Sequence, residues 1–338
     1  VAIVDLGFEG YEDLLGTELP ANVTVRSFRV DGDITGGGLP ILDRVHGTAC
    51  AEVVHDVAPD AELYLVNYKY VYQLEAIIGY LISENVNVVS HSAGHCVGLF
   101  DGSDEICKII DDAVFNHSII WVNSAGNYAQ RHWEGMFTDT DSNGWHEYPC
   151  EGGTLGQTIN ATMGDTVVVW LSWNDTWGYA TQDYDLYIYN FENNWRIASK
   201  NPQFGYLGQK PVEGGGFVAP YNGTYYIAIG DSGATRPVHF ELYAYTHDFG
   251  CKVENSSLSV EATPFGAKAV GAVSWEDCST LHSYSSRGPT NDGREKPDFV
   301  GPACVSTQSY LSVGYPFCGT SAATPHIAGA IALELSSK

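Results

Sequence analysis

From Val1 to Asn127 this chain of 338 residues alternates short aliphatic runs with stretches of helical spacing, and the alternation stops near residue 131 and resumes only around Lys268. Strands that are apolar throughout and joined by helices are buried on both faces, so the rhythm predicts an α/β fold with a doubly wound, mainly parallel sheet. Val1 to Asp5, Glu62 to Asn67, Val86 to Ser90 and Ile119 to Asn127, the last ending in small residues and an amide, read as its strands. Leu74 to Leu81 reads as a helix, as do Ile106, Ile109, Ile110, Ala113 and Val114 on one face of another.

The interrupting stretch has no helical period. Thr166 to Trp173, Tyr184 to Tyr189, Gly223 to Ile229 and His239 to Tyr245 are rich in β-branched and aromatic residues, which predicts strands. An all-β sandwich, jelly-roll-like, inserted into the α/β domain is the simplest account. The expected division is 1–131 for the first part of the α/β domain, 132–254 for the insertion and 255–338 for the second part.

Chemistry concentrates at the sheet's expected carboxyl edge. Gly319-Thr320-Ser321-Ala322-Ala323-Thr324-Pro325-His326 offers a serine on a glycine turn ahead of a buried helix. A serine hydroxyl needs a base to take its proton, a group to orient the base and donors for a developing oxyanion. His46, in His46-Gly47-Thr48 at the mouth of a helix, is the base candidate. Asp5, closing the first aliphatic strand, is the orienting acid, because open α/β sheets place their ligands beyond the carboxyl ends of strands. Asn127 after the Ile119 strand is the oxyanion donor, together with the Ser321 amide at its helix N-terminus.

In the order Asp5, His46, Asn127, Ser321 these residues resemble the subtilisin-like serine proteases. Val57-Ala58-Pro59-Asp60-Ala61-Glu62-Leu63, Ser285-Ser286-Arg287-Gly288-Pro289-Thr290 and Lys296-Pro297-Asp298-Phe299-Val300 agree with that family in sequence order. Leu6, Ala49 and Ala322 depart from it, each beside a catalytic position, and none removes a triad group. The resemblance implies a serine endopeptidase with an acyl-enzyme intermediate, protein or peptide substrates and a pro-segment acting as folding inhibitor. It also implies a substrate edge at Ser92, Ala93 and Gly94, and a pocket wall at Ala125 and Gly126. The insertion resembles the pre-peptidase C-terminal module of secreted proteases. Acid-active sedolisins would carry an acid in place of His46 and an Asp in place of Asn127, so a near-neutral to alkaline optimum is expected. A processing peptidase of narrow range, or a non-catalytic surface glycoprotein keeping the fold, are the alternatives.

Forty-one acidic against 16 basic residues give a net charge of −25, which disfavours nucleic acid and anionic membranes. No apolar run approaches the roughly 18 residues of a membrane span. Sequons at Asn22, Asn116, Asn160, Asn174, Asn222 and Asn255, against roughly two by chance, suggest an exported, extracellular glycoprotein. The chain starts on the Asp5 strand, so any signal or pro-segment is expected to be removed or not included, and it stops 17 residues past Ser321, so closing helices are expected to be absent or cut away. Eight cysteines without a Cys-x-x-Cys spacing suggest disulfides, with Cys150 and Cys251 flanking the insertion and Cys96 with Cys107 and Cys304 with Cys318 closing short loops.

Asp139, Asp141 and Asn143 space oxygen side chains alternately ahead of Gly144, as in the first half of a calcium loop, and are the metal candidates, with calcium the expected structural cofactor. The acids Asp183 and Asp185 are a weaker second. No histidine pair at helical spacing suggests catalytic zinc. Trp170, Trp173, Trp177 and Trp195 form either a carbohydrate-binding face or sandwich core, and His326 reads as a hydrogen-bonded core residue.

Overall fold

A computed structural model describes residues 1–149 and 156–337. Two compact units divide the chain. The first comprises Val1–His95, Phe100–Asn127 and Leu258–Lys338, the second Cys96–Leu99 and Tyr128–Ser257. The borders differ from the sequence expectation by a few residues, and Cys96–Leu99 groups with the second unit, which periodicity gave no sign of.

Seven parallel strands build the first unit: β1 (Ala2–Asp5), β2 (Thr24–Ser27), β3 (Tyr64–Asn67), β4 (Val88–His91), β5 (Ile120–Ser124), and further along the chain β14 (Lys268–Ser274) and β15 (Phe299–Ala303). Their order is β15-β14-β5-β4-β1-β3-β2. Every residue of β1 and β4 is buried, as an apolar run covered on both faces requires. Helices α1 (Ile41–Val57), α2 (Leu74–Ser83), α3 (Glu105–His117), α4 (Gln308–Ser312) and α5 (Thr320–Ser336) complete the unit. One cluster joins Ile3 of β1, Leu65 of β3, Ala49 and Val53 of α1, and Ala322, Ala323 and Ala328 of α5. Each fully buried aliphatic side chain of this kind contributes about 1.5–3 kcal/mol. The cluster fixes α1 and α5, which carry the base and nucleophile candidates, to the sheet that carries Asp5.

The second unit is two antiparallel four-stranded sheets. Its strands are β6 (His132–Met136), β7 (Gln157–Ala161), β8 (Thr166–Trp173), β9 (Tyr184–Asn190), β10 (Trp195–Ser199), β11 (Val212–Val218), β12 (Gly223–Asp231) and β13 (His239–Ala244). The orders are β10-β9-β12-β7 and β11-β8-β13-β6. Alternate residues of both sheets meet in one core of Val167, Val169, Leu171, Leu186, Ile227, Ile229, Phe240 and Leu242. Trp173 belongs to this core and Trp195 packs against it, so these two tryptophans fill the sandwich and do not form a binding face.

Cys304 and Cys318 are bridged, closing a loop worth roughly 3 kcal/mol in chain entropy. Cys251 is disulfide-bonded, and its expected partner Cys150 lies outside the described residues. Cys96 and Cys107 are not joined to each other: Cys107, on α3, turns its thiol to the Val260 carbonyl at 3.5 Å.

Candidate active site

Asp5 is the last residue of β1 and 1% exposed. Its Oδ1 accepts the Leu6 amide at 2.7 Å, and His46 Nδ1 lies 2.9 Å from Oδ1 and 2.8 Å from Oδ2. Facing two carboxylate oxygens, Nδ1 is the donor, and Nε2 of the neutral ring remains as acceptor. His46 sits in the second turn of α1 and not at its mouth, since the helix begins at Ile41. Gly47 beside it permits the approach: a Cβ there would lie 2.7 Å from the Gly7 carbonyl oxygen and 2.9 Å from the Asp5 Cβ. Burial opposes the imidazolium, but the charge and hydrogen bond of Asp5, aided by Asp43, outweigh it and raise the His46 pKa above its ordinary 6.5. The imidazole and the Phe317 ring meet nearly at right angles, with centroids 5.5 Å apart. Phe317 is held by the Cys304–Cys318 bridge next to it in the chain.

Ser321 lies in the first turn of α5, after Gly319 at φ 94°, a left-handed conformation that glycine adopts without strain. Its amide is one of the first-turn donors that find no intrahelical acceptor. Pro325, four residues on, has no N–H for the Ser321 carbonyl. That oxygen instead accepts from Ser92 Oγ at 3.0 Å and faces the Cys50 thiol at 3.8 Å. Cys50 Sγ is also 3.8 Å from Asp5 Oδ2, so one buried thiol touches both Asp5 and the Ser321 backbone. Burial pushes the Cys50 thiol well above its usual range, leaving it a neutral packing group. Ser321 Oγ donates to the Ser92 carbonyl at 3.2 Å, and among the described residues no hydrogen bond joins it to His46.

Asn127 follows β5. Its Oδ1 accepts the Thr320 amide at 3.0 Å and the Thr320 hydroxyl at 3.2 Å. With the oxygen so held, Nδ2 is the group left to donate, and it lies 3.1 Å from where a Cβ on Gly319 would stand. Thr320 Oγ1 also accepts the Gly126 amide at 3.2 Å, tying the strand end to the helix start. The site thus gathers Asp5, His46, Ser321 and Ser92, with Asn127 anchored one residue before the serine.

Of the substrate-edge candidates, Ser92, Ala93 and Gly94 follow β4 without a strand paired to them among the described residues. Gly94 lies against Ser259. Ala125 and Gly126 are buried, and Gly126 gives its carbonyl to Ser286. Sequence reading missed Cys50 and Thr320. Position i+4 from His46 on a helix was the signal for the first, and adjacency to the serine for the second.

In the second unit, Asp139, Asp141 and Glu147 bring carboxylate oxygens within 4.8 Å of one another. Glu147, which spacing did not select, joins the two aspartates, and the Asn143 side-chain oxygen accepts the Trp145 amide at 2.9 Å. Three hard oxygens suit calcium, although Asp139 and Asp141 also accept the Asn143 amide. Asp185 is engaged by the hydroxyls of Tyr187 and Ser232. His326 hydrogen-bonds the Ala322 carbonyl at 2.8 Å.

The fold is similar to that of the Clostridium perfringens CspB protease, over 99% of this chain and 82% of that one, at 14% identity and a TM-score of 0.66. Looser superpositions are found with a Pseudomonas sedolisin, a serine-carboxyl proteinase (13% identity, 99% of this chain and 74% of that, TM-score 0.45), and with the pre-peptidase C-terminal domain of a Bacillus anthracis collagenase (11%, 34% and 88%, TM-score 0.22). These two are too distant to bear on the site. Residues 219–338, which include Ser321, match the model of the Subtilase family. Over this C-terminal part the chain is similar to the Subtilase family, and over nearly its whole length it shares the fold of the CspB protease.

Proposed function

We propose that the protein is a secreted serine endopeptidase in which Asp5, His46 and Ser321 form the triad. The observation that carries this reading is the His46 imidazole fixed through Nδ1 on both Asp5 oxygens, with Nε2 left as a base. In the reaction Ser321 Oγ leaves the Ser92 carbonyl, gives its proton to His46 Nε2 and attacks the scissile carbonyl. Asn127 Nδ2 and the Ser321 amide receive the oxyanion. His46 passes the proton to the leaving amine, and water, deprotonated by His46, releases the acyl group in the second half. Ser92 to Gly94 offer backbone to an extended substrate, with Ala125 and Gly126 walling the neighbouring pocket. Export is supported by the sequons and the cysteine content, and calcium, held by Asp139, Asp141 and Glu147, would brace the β unit.

The bond from Ser321 Oγ to Ser92, in place of one to His46, favours a second reading: a processing peptidase whose serine aligns only when a fitting substrate takes over the Ser92 carbonyl. Labelling with an active-site phosphonate, followed by digestion of an unfolded protein and a panel of short peptides, tests both. Labelling at Ser321 with broad cleavage supports the endopeptidase, and labelling with cleavage of few peptides supports the restricted enzyme. A folded protein that is neither labelled nor active overturns the catalytic reading.

A further inference from the structure

A cluster in the second unit takes no part in this chemistry. Strands β6 and β13 pair antiparallel with Glu134 directly opposite Glu241 and Met136 opposite His239. Side chains alternate along a strand, so Glu134, Glu241, His239 and, one step along β6, His132 share one face. Two carboxylates directly opposite on a sheet repel, and here the repulsion is aggravated by burial, since Glu241 is only 4% exposed. Buried charges persist when paired or when they coordinate a metal.

The hydrogen bonding of Glu241 is half complete. Oε2 is met by His132 Nε2 at 2.8 Å, and His132 is itself held by its Nδ1 on the Val253 carbonyl at 2.8 Å. Oε1 is buried and has no hydrogen-bond partner, which leaves it as the oxygen available to its neighbours. His239 Nε2 lies 3.6 Å from Glu134 Oε2, and one ligand atom from each of Glu134, His239 and Glu241 lies within 4.8 Å of the others.

We propose that Glu134, His239 and Glu241 form a binding site for a divalent transition-metal cation, zinc being the ion their donors fit best. One imidazole and two carboxylates are a nitrogen and oxygen set that zinc accepts and that calcium or magnesium, which take oxygen alone, would not select. Tetrahedral bonds of about 2.0–2.1 Å place ligand atoms about 3.4 Å apart. The His239–Glu134 separation is close to that, and rotation of the glutamate side chains closes the rest. Glu134 and His239 are 21% and 35% exposed, which gives the ion a path from solvent and leaves room for a water ligand. His132 is the outer partner that fixes the Glu241 carboxylate. Such an ion would neutralise the facing glutamates and cross-link β6 to β13. The ligands come from two strands over a hundred residues apart, which is why no linear zinc motif exists. This site stands independently of the peptidase reading.

The test uses the full chain, stripped with chelator and titrated with zinc chloride alone, counting bound ions by equilibrium dialysis and following the melting temperature. Asp5, His46 and Cys50 also bring ligand atoms together, so Cys50→Ser is measured alongside. The expected result is one zinc ion, retained in Cys50→Ser, whose affinity falls at least about 100-fold in both His239→Asn and Glu134→Gln and about 10–100-fold in His132→Gln. The zinc-dependent rise in melting temperature should vanish in His239→Asn and Glu134→Gln while circular dichroism shows the fold retained. Unchanged zinc stoichiometry in both of those variants, or calcium competing for the ion at equal concentration, overturns the proposal. Should one variant misfold, the other decides.

Discussion

Ser92 and Ser321 exchange hydrogen bonds in both directions: Ser92 Oγ donates to the Ser321 carbonyl at 3.0 Å, and Ser321 Oγ donates to the Ser92 carbonyl at 3.2 Å. The first bond exists because Pro325 has no N–H to offer that carbonyl. It ties the Ser321 backbone to β4's carboxyl end. The second bond holds the hydroxyl on the edge where an extended substrate would lie, so substrate binding and serine release are competing uses of one carbonyl.

Ser321→Ala removes the proposed nucleophile and leaves the Ser92 Oγ bond to the backbone intact. Peptide hydrolysis should fall by at least about 10⁴-fold, with the melting temperature within a few degrees of wild type, since one partly exposed hydrogen bond contributes about 1 kcal/mol. Turnover near the wild-type rate would show that another group attacks.

Asn127→Ala should lower kcat by about 10²–10³ with a much smaller change in KM if the Nδ2 donor acts on the developing oxyanion as proposed. The same change leaves the Thr320 amide without its acceptor. Stability should therefore drop by about 1–3 kcal/mol, read from urea denaturation. Unchanged kcat alongside reduced stability would reduce Asn127 to a helix anchor.

Much of this was legible in the chain because the residues themselves announce it. β8 coincides with the β-branched run from Thr166 to Trp173, and Asp5, His46, Asn127 and Ser321 sit in short motifs whose chemistry is distinctive. β11 escaped notice because Gly214, Gly215 and Gly216 supply no side chains to alternate, and β10 because it is an edge strand whose residues are mostly exposed. Helix α1 starts earlier than expected because its buried face continues back to Val45. Spacing also cannot give direction. Asn143 alternates with Asp139 and Asp141, but spacing gives no sign that the chain folds back so that the Glu147 amide meets the Thr138 carbonyl and brings a third carboxylate beside them. The cross-strand cluster of Glu134, His239 and Glu241 needed the strand register, which a single sequence does not print.

The pH profile follows from His46. Its pKa in the fold lies above 6.5 through Asp5 and Asp43 acting against burial, and only the neutral ring takes the Ser321 proton. kcat/KM should rise with pH through a midpoint above 6.5. The stability this pairing contributes runs the opposite way, complete below the unfolded value and lost as pH rises through the folded one. Asp5→Asn removes the main opposing charge, so the midpoint should fall and kcat should drop by about 10⁴-fold. A rate maximum below pH 5, or a midpoint that ignores Asp5→Asn, would exclude His46 as the base.

If calcium binds at Asp139, Asp141 and Glu147, the outcome of substitution separates Glu147 from Asn143, the residue that spacing alone selected. An ion held by the folded chain alone stabilises by mass action, about 2.7 kcal/mol when its concentration is 100 times Kd. Chelation with EGTA should therefore lower the melting temperature, and Asp141→Ala should abolish the difference between chelated and calcium-loaded protein. Asn143→Ala should preserve it, since the Asn143 oxygen is turned to the Trp145 amide and its loss costs only a turn hydrogen bond. Glu147→Gln should weaken it, because among the described residues the Glu147 carboxylate otherwise serves Thr140 alone, accepting its amide and hydroxyl. A melting curve indifferent to chelator would leave the three carboxylates as an acidic turn satisfied by its own amides. A calcium effect lost in Asn143→Ala but kept in Glu147→Gln would return the site to the alternating pattern and reject the geometry that replaced it.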